Sequence, residues 1–252
     1  YPPVVSALIL AELKRQAESY LKTKVEEVVI CIPCNFGVIQ RYATIEAAEM
    51  AGFKVLRILN EATAAAMAFS HSLASGYNDT ELIFDMGAGT LDLSLIEYYE
   101  GILKVEAIEG AEFLGGDDFD ERIIKWIVEE TKKKQGFDPI EDQQFGWHHI
   151  AKLRLQEAAE QAKIELSSQD TTRIYIPYIR NILGKQQDID LELTENIFES
   201  LCQDLVERAI SQLELIGASG KEKEMVVERE INRFIPDYDK LRFRDKLKFW
   251  KE

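Results

Sequence analysis

The stretch from Phe84 to Asp92 constrains this chain more than any other, because an apolar run breaks into a glycine-rich turn and then resumes with alternating residues. A carboxylate, Asp85, follows the first apolar run. The turn Gly87-Ala88-Gly89 lets backbone N–H groups approach an anion, and Thr90 adds a hydroxyl beside them. The pattern therefore predicts a β-hairpin that binds phosphate and its magnesium ion.

Composition excludes several classes of partner. The chain has 252 residues, of which 46% are hydrophobic, a formal net charge of -15 and a pI near 4.8. An acidic chain lacks the basic face that attracts nucleic acids and anionic membranes, so we expect neither as a partner. The sequence shows no membrane-length apolar run and no export signal, and its three cysteines are too few for a disulfide framework. A cytoplasmic location is expected.

Hydrophobic periodicity predicts alternating helices and strands in the first part of the chain. Three segments have apolar residues at helical spacing, and two runs have the length of buried strands. The predicted order is helix 6–21, strand 25–32, helix 36–51, strand 55–59 and an alanine-rich helix 61–70. Two strand–helix units therefore follow one another.

The pattern changes after residue 80. Segments 81–96 and 103–108 predict three successive strands, a meander that leads into an amphipathic helix opened by Gly115-Gly116. Three strands and a helix are the core unit of ribonuclease H-like halves, so we expect an α/β fold. Beyond Gly136 the prediction is a helix 150–166, strands 173–176 and 189–191, and a helix 194–215.

We divide the chain into five parts on this basis. They are a partial first lobe (1–75), a second-lobe meander with the phosphate hairpin (76–119), a helix with an inserted α+β subdomain (120–193), a returning helix (194–216) and a divergent charged tail (217–252).

The candidates for chemistry are Glu61, Asp85, Thr90 and Asp92. Because Asp85 and Asp92 flank the turn, they can face one pocket and hold magnesium through its water shell. Glu61 stands where a strand leads into a helix, a position from which a carboxylate can orient an attacking water. Each acid alone also fits a turn or a helix cap, and only their co-occurrence favours catalysis.

Five blocks of sequence resemble the ATPase domain of the heat-shock seventy-kilodalton (DnaK-type) chaperones, which belong to the actin and sugar-kinase superfamily. The blocks are 27–33 (EVVICIP), 58–66 (ILNEATAAA), 84–92 (FDMGAGTLD), 113–120 (FLGGDDFD) and 157–168 (EAAEQAKIELSS). The resemblance covers about residues 2 to 216. It implies an actin-like ATPase (ribonuclease H-like) fold with an incomplete first lobe, ATP or ADP as ligand, and magnesium.

The resemblance also implies roles by position. Glu61 would be the catalytic carboxylate, Thr90 the γ-phosphate contact, and Asp85 and Asp92 the magnesium-side acids that act through water. The residues implied to approach the phosphates are Gly87, Ala88, Gly89, Thr90, Gly115 and Gly116. Those implied to line the adenosine pocket are Glu160, Lys163 and Ser167. Pro33 and Arg41 match the family's proline switch and arginine relay.

The chain departs from the family pattern at several places. The family's first phosphate hairpin, Asp-Leu-Gly-Thr-Thr, and its catalytic lysine do not occur from Tyr1 onward, and a charged run after Gly217 replaces the adenine loop. Ala62 replaces a proline. Ala88 replaces the middle glycine of the turn. If this position requires a positive φ or close approach of phosphate, the methyl group costs about 1 kcal/mol and would block the contact. We expect weak or no ATP hydrolysis by this chain alone.

Two functions follow from the resemblance. The chain is either an ATP-binding module of a chaperone that acts in protein folding, or a non-catalytic, chaperone-like remnant or protein-interaction scaffold. A sugar kinase is a distant third. For the first, the resemblance implies J-domain and nucleotide-exchange proteins as partners, and unfolded clients only through a substrate domain that residues 1–252 do not contain.

Three other motifs have ordinary explanations. Cys31 and Cys34 have the spacing of a redox pair, but their place at a strand end favours incidental cysteines. Because adjacent residues on a helix or strand point apart, His148 and His149 are poorly suited to share a metal ion. The basic, aromatic segment 238–250 suits a partner or membrane contact, whereas an irregular end is the simpler interpretation.

Overall fold

The chain folds into helices and strands that are described in two units. A computed structural model describes residues 1–71, 79–99, 101–143, 147–182 and 185–217. The chain divides into a first unit, Tyr1–Asp85 with Asp92–Gly110, and a second unit, Met86–Leu91 with the chain from Ala111 onward.

The first unit begins with alternating helices and strands. These are α1 (Pro2–Leu21), β1 (Glu27–Ile32), α2 (Val38–Met50), β2 (Lys54–Asn60) and α3 (Glu61–His71). Strand β1 pairs with β2 in parallel, with Glu27 opposite Lys54 and Ile32 opposite Asn60. Parallel strands finish at the same sheet edge, so α3 and its first residue, Glu61, start at that edge.

A three-stranded sheet follows. Its strands are β3 (Asp79–Met86), β4 (Thr90–Tyr99) and β5 (Ile102–Glu112), in the order β3-β4-β5. The connections are too short for a parallel crossover, so the strands form an antiparallel meander. The central strand β4 is buried continuously from Leu91 to Ile96, as its long apolar run requires.

The face of β4 that packs on α3 carries both polar and apolar residues. Ala62 and Ala66 of α3 pack against Ile96 and Tyr98 of β4. Because side chains alternate along a strand, Asp92 and Ser94 lie on the same face as Ile96 and Tyr98. The small alanine side chains of α3 allow the helix to approach the sheet closely.

In its described residues, the second unit contains three helices and a hairpin. Its elements are α4 (Gly116–Gln135), α5 (His148–Leu166), β6 (Thr171–Ile182), β7 (Lys185–Thr194) and α6 (Glu195–Gly217). Helix α4 is amphipathic and buries Phe119, Ile123 and Ile127, with Phe119 against Phe198 of α6 at 6.3 Å between ring centroids. The antiparallel β6–β7 hairpin contacts all three helices.

The predicted elements are present, with differences at their ends. Helix α1 begins at Pro2 rather than Ser6, since proline suits the first helical position, where its missing N–H would have no partner. Strands β6 and β7 extend well beyond the predicted 173–176 and 189–191, because a shift in register between Ile176 and Arg180 lets pairing continue past Pro177. In the described part of the chain, no helix is both long and apolar enough to cross a membrane.

Removal of one buried hydroxyl tests the packing of α3 on β4. The Tyr98 hydroxyl donates a hydrogen bond to the Ala66 carbonyl oxygen at 3.1 Å. We expect Tyr98→Phe to lower the free energy of unfolding by about 1 kcal/mol, measured by urea denaturation. The neighbouring Tyr99 is 55% exposed, so Tyr99→Phe is the matched control, with a change below about 0.5 kcal/mol. Equal effects of the two substitutions would contradict this packing.

Candidate functional site

The structure brings the three predicted acids of the first unit into electrostatic range of one another. Glu61 begins α3, Asp85 lies near the end of β3, and Asp92 lies near the start of β4. Partial burial is the main cause that raises the pKa of Glu61, and the negative charges of Asp85 and Asp92 raise it further. Asp92 is buried and Asp85 is exposed. The three carboxylates therefore produce a region of concentrated negative charge.

This acid group suits a cation that keeps its own water. Among the described residues, no three acidic, histidine or cysteine side chains lie close enough together to bind a metal ion directly. A magnesium ion dehydrates reluctantly and is often held through its water shell by one or two carboxylates. The donor set and its mutual repulsion fit magnesium bound through water at Asp85 and Asp92.

The glycine-rich turn of the second unit is held by its carbonyl groups. All three turn carbonyls accept hydrogen bonds from backbone N–H groups at or just before the start of α4. The Gly87 oxygen accepts from Gly116 at 3.0 Å, the Ala88 oxygen from Asp117 at 2.8 Å, and the Gly89 oxygen from Leu114 at 3.3 Å. The N–H groups at the N-terminus of a helix have no partner within the helix, so the turn satisfies donors that α4 leaves open.

The same hydrogen bonds determine where the turn's own N–H groups point. In a trans peptide the N–H of one residue points away from the carbonyl of the residue before it, and the described chain contains no cis peptide. The N–H groups of Ala88, Gly89 and Thr90 therefore face away from α4. Successive N–H groups with a common direction form a concave anion-binding site.

Two glycines around the turn differ in what a side chain would meet. A Cβ on Gly115 would lie 2.3 Å from the Ala88 carbonyl oxygen, so only glycine lets α4 approach the turn. Among the described residues other than its two chain neighbours, a methyl group added at Gly89 would have no atom within 4 Å, and Gly89 does not have a positive φ. Neither packing against these residues nor backbone conformation therefore requires a glycine at position 89. Open space beside Gly89 is what close approach of a ligand needs.

The expected strain at Ala88 is not present. Among the described residues other than glycine, positive φ occurs at Lys22, Phe113 and Tyr178, and Ala88 is not one of them. The methyl group therefore carries no left-handed backbone cost. Ala88 is also exposed, so its side chain does not disturb the contact with α4.

Alanine substitutions separate the two glycines. We expect Gly115→Ala to destabilise the chain by about 2 kcal/mol, because the new methyl group overlaps the backbone of the turn. Gly89→Ala enters open space and should change the free energy of unfolding by less than about 0.5 kcal/mol. Urea denaturation of both variants measures the difference, and a neutral Gly115→Ala would refute the close packing of turn and helix.

Two of the predicted adenosine residues, Glu160 and Lys163, lie on one side of α5, because they are one helical turn apart, and Ser167 directly follows the helix. Lys163 Nζ donates to the Gly116 carbonyl oxygen at 3.0 Å and to the buried carboxylate of Asp120 at 2.9 Å. Glu160 is exposed, and Ser167 donates its hydroxyl to the Ile164 carbonyl at the helix end. Lys163 thus links α5 to the first turns of α4.

The partner of Lys163 was not predicted. Burial raises the pKa of Asp120, and the hydrogen bond and charge of Lys163 oppose that increase. The only sequence signal for Asp120 is an acid among the apolar residues of α4, next to Phe119 and ahead of Ile123. A single acid in such a position does not identify its partner, which lies on another helix.

The ion pair between Lys163 and Asp120 can be tested by removal of the lysine charge. Lys163→Met leaves the Asp120 carboxylate buried without its counter-charge, and we expect a loss of about 2 kcal/mol at pH 7, discounted because the Lys163 side chain is 23% exposed. The folded variant then binds a proton at Asp120 more tightly than the unfolded chain does. Its stability should therefore rise as the pH falls from 7 towards 5.

The double variant Lys163→Met with Asp120→Asn is the control. It carries no charge at positions 120 and 163, so it should recover much of the lost free energy of unfolding at pH 7 and should not show the added pH dependence. Urea denaturation at both pH values decides the matter, and equal losses in the single and double variants would rule out the ion pair as the cause.

The two predicted relay residues lie in the first unit, near the shared edge of β1 and β2. Pro33 directly follows β1, and its carbonyl oxygen accepts from Phe36 N–H at 3.3 Å. Arg41, on α2, donates from Nε to the Phe36 carbonyl at 2.9 Å and from Nη2 to Asn60 Oδ1 at 3.3 Å. Arg41 therefore joins the loop after Pro33 to the residue that precedes Glu61, and Asn60 is a further residue that the sequence analysis missed.

The cysteines and histidines of these two motifs lie at exposed or half-buried positions. Cys31 is exposed, whereas Cys34 is half-buried with its sulfur 3.5 Å from the Ser94 hydroxyl. His148 and His149 are exposed at the start of α5. Segment 238–250 lies outside the described residues.

Comparison with known proteins explains why these features occur together. A family model described as Hsp70 protein matches residues 1–228. The chain belongs to the Hsp70 family. The match extends beyond residue 216, the last residue of the resemblance described above. Similarity to Hsp70 therefore continues into the segment 217–252, as far as residue 228.

Individual Hsp70 relatives are similar over most of the chain. The chaperone protein DnaK of Thermosipho africanus is 46% identical over 222 residues, which cover 88% of this chain and 36% of that protein. The DnaK of Thermotoga petrophila is 44% identical over 214 residues, covering 84% of this chain and 35% of the relative. The chain thus spans about a third of the length of the curated relatives it matches. Membership of the Hsp70 family confirms the predicted α/β, actin-like ATPase fold.

Proposed function

We propose that this chain is an ATP-binding module of an Hsp70-type chaperone, and that the turn 87–90 binds the phosphates of ATP or ADP. The observation that carries the proposal is the direction of the turn's peptide groups. The carbonyls of Gly87, Ala88 and Gly89 accept hydrogen bonds from the Leu114–Asp117 segment. In trans peptides, the N–H groups of Ala88, Gly89 and Thr90 then point to the other side. Gly89 adds open space on the turn, as a phosphate would need.

The acids of the first unit have a role of their own in the proposal. Asp85 and Asp92 would hold magnesium through its water shell. Glu61, whose pKa is raised by burial and by the two neighbouring acids, is the group suited to orient a water and to accept its proton. Thr90 offers its hydroxyl at the end of the turn.

The remaining predicted residues have supporting roles. Gly115 and Gly116 let the start of α4 support the turn, and the α5 surface formed by Glu160, Lys163 and Ser167 would contact adenosine. Arg41 and the loop after Pro33 would transmit the state of the Glu61 region towards a substrate domain. With an Hsp70-type function, the expected partners are J-domain proteins, nucleotide-exchange factors and unfolded clients.

Calorimetric titration of the 252-residue chain tests the proposal. We expect binding of ADP in the presence of magnesium and much weaker binding of AMP, since the turn would contact the β-phosphate. Gly89→Val should weaken ADP binding at least tenfold because its side chain fills the open space, without a comparable loss of stability. Binding of AMP as tight as that of ADP would argue against the turn as a phosphate site.

The same preparation allows the catalytic part of the proposal to be separated from binding. Residues 1–252 contain one phosphate turn and no counterpart of the family's catalytic lysine. Since phosphoryl transfer depends on several positioned charges, we expect slow ATP turnover even where ADP binds. The non-catalytic alternative gains support if ADP does not bind at all.

A further inference from the structure

Phe113 and Arg208 form a contact that lies outside the predicted site. Phe113 has a φ of 57°, a left-handed conformation that is a genuine outlier for a bulky residue. Its ring is 76% exposed, so side-chain packing contributes little to holding the peptide in this conformation. Arg208, on α6, donates from Nη2 to the Phe113 carbonyl oxygen at 3.1 Å.

The left-handed peptide lies directly before the residues that support the turn. The N–H of Leu114 donates to the Gly89 carbonyl oxygen at 3.3 Å, and the Leu114 side chain is fully buried. The following residue, Gly115, packs against Ala88 with no space for a side chain. A change of φ at Phe113 would therefore redirect the donor that holds Gly89 and displace the backbone beneath the turn.

We infer that Arg208 is a positioning residue for the turn 87–90, and that it acts through the left-handed peptide of Phe113. A hydrogen bond from a charged donor is stronger than one between neutral groups, so the guanidinium can offset part of the cost of the disfavoured φ. The held peptide then presents the Leu114 N–H to Gly89. The effect on nucleotide affinity rests on the proposed function, whereas the effect on the turn itself does not.

A second arginine in the same unit provides a matched control. Arg122 on α4 forms an ion pair with Asp204, one helical turn before Arg208 on α6. Arg122→Gln and Arg208→Gln each remove one guanidinium from the α4 and α6 region, but only Arg208 contacts Phe113. A general loss of charge or helix packing should therefore affect both variants alike.

Amide hydrogen exchange of the full 252-residue chain measures the effect on the turn. The N–H groups of Leu114, Gly116 and Asp117 report directly on the hydrogen bonds to the turn. We expect Arg208→Gln to accelerate their exchange about tenfold, equivalent to about 1.4 kcal/mol, with little change in the β6–β7 hairpin. Arg122→Gln should leave these three amides unchanged.

A substitution at Phe113 tests the route of the effect. Glycine adopts positive φ without steric cost, so in the presence of Phe113→Gly the turn should no longer depend on Arg208. Combining the two substitutions should then give much less than the tenfold acceleration that Arg208→Gln causes with Phe113 present. No acceleration by Arg208→Gln, or the same acceleration with and without Phe113→Gly, would overturn the inference.

Titration with ADP and magnesium separates this inference from the proposed function. If the unmodified chain binds ADP, Arg208→Gln should weaken its affinity, and Phe113→Gly should restore most of that loss. If the unmodified chain does not bind ADP, the proposed function fails, and the exchange measurements still decide the role of Arg208. Weakened ADP binding with unchanged exchange at the three amides would overturn the inference.

Discussion

The contact between the glycine-rich turn and the start of α4 is the interaction on which the second unit's site depends. Three backbone hydrogen bonds join turn carbonyls to N–H groups of the Leu114–Asp117 segment. The Gly116 and Asp117 N–H groups have no acceptor within α4, and the turn carbonyls provide one. Because the peptide group is planar and trans, fixing these carbonyls also fixes the direction of the turn's own N–H groups. The same three bonds thus stabilise the helix end and order the turn without a ligand.

Several residues of the candidate site could be predicted from the sequence, because their side-chain types are typical of phosphate or magnesium binding. The turn, and the acids Asp85 and Asp92 of the first unit, are apparent from residue identity, whereas Glu160, Lys163 and Ser167 are implied only by the family resemblance. Backbone hydrogen bonds are harder to predict from sequence, since every residue has a carbonyl group. The glycine at position 115 is the sequence feature that agrees with the close approach of turn and helix.

Other contacts were not predictable because they join distant parts of the chain. Arg208 and the Phe113 carbonyl are 95 positions apart in the sequence, and Arg41 and Asn60 are 19 positions apart. A single sequence provides no information about which arginine meets which acceptor. The φ of Ala88 could not be read from the sequence either, because residue type alone does not determine the conformation of the turn. Ala88 does not have a positive φ, so that condition for a backbone cost is not met.

The alternation of β4 has a consequence for how this region can vary. Asp92 shares a face with Ser94, Ile96 and Tyr98, while Leu91, Leu93 and Leu95 fill the opposite face. Insertion or deletion of a single residue in the turn would exchange these two sets if the pairing of β4 shifted with it, burying leucines where the acid belongs and turning Asp92 away from Glu61. A change in the length of the turn would therefore disturb both faces of β4 at once, whereas a substitution within the turn alters one side chain and leaves this alternation in place.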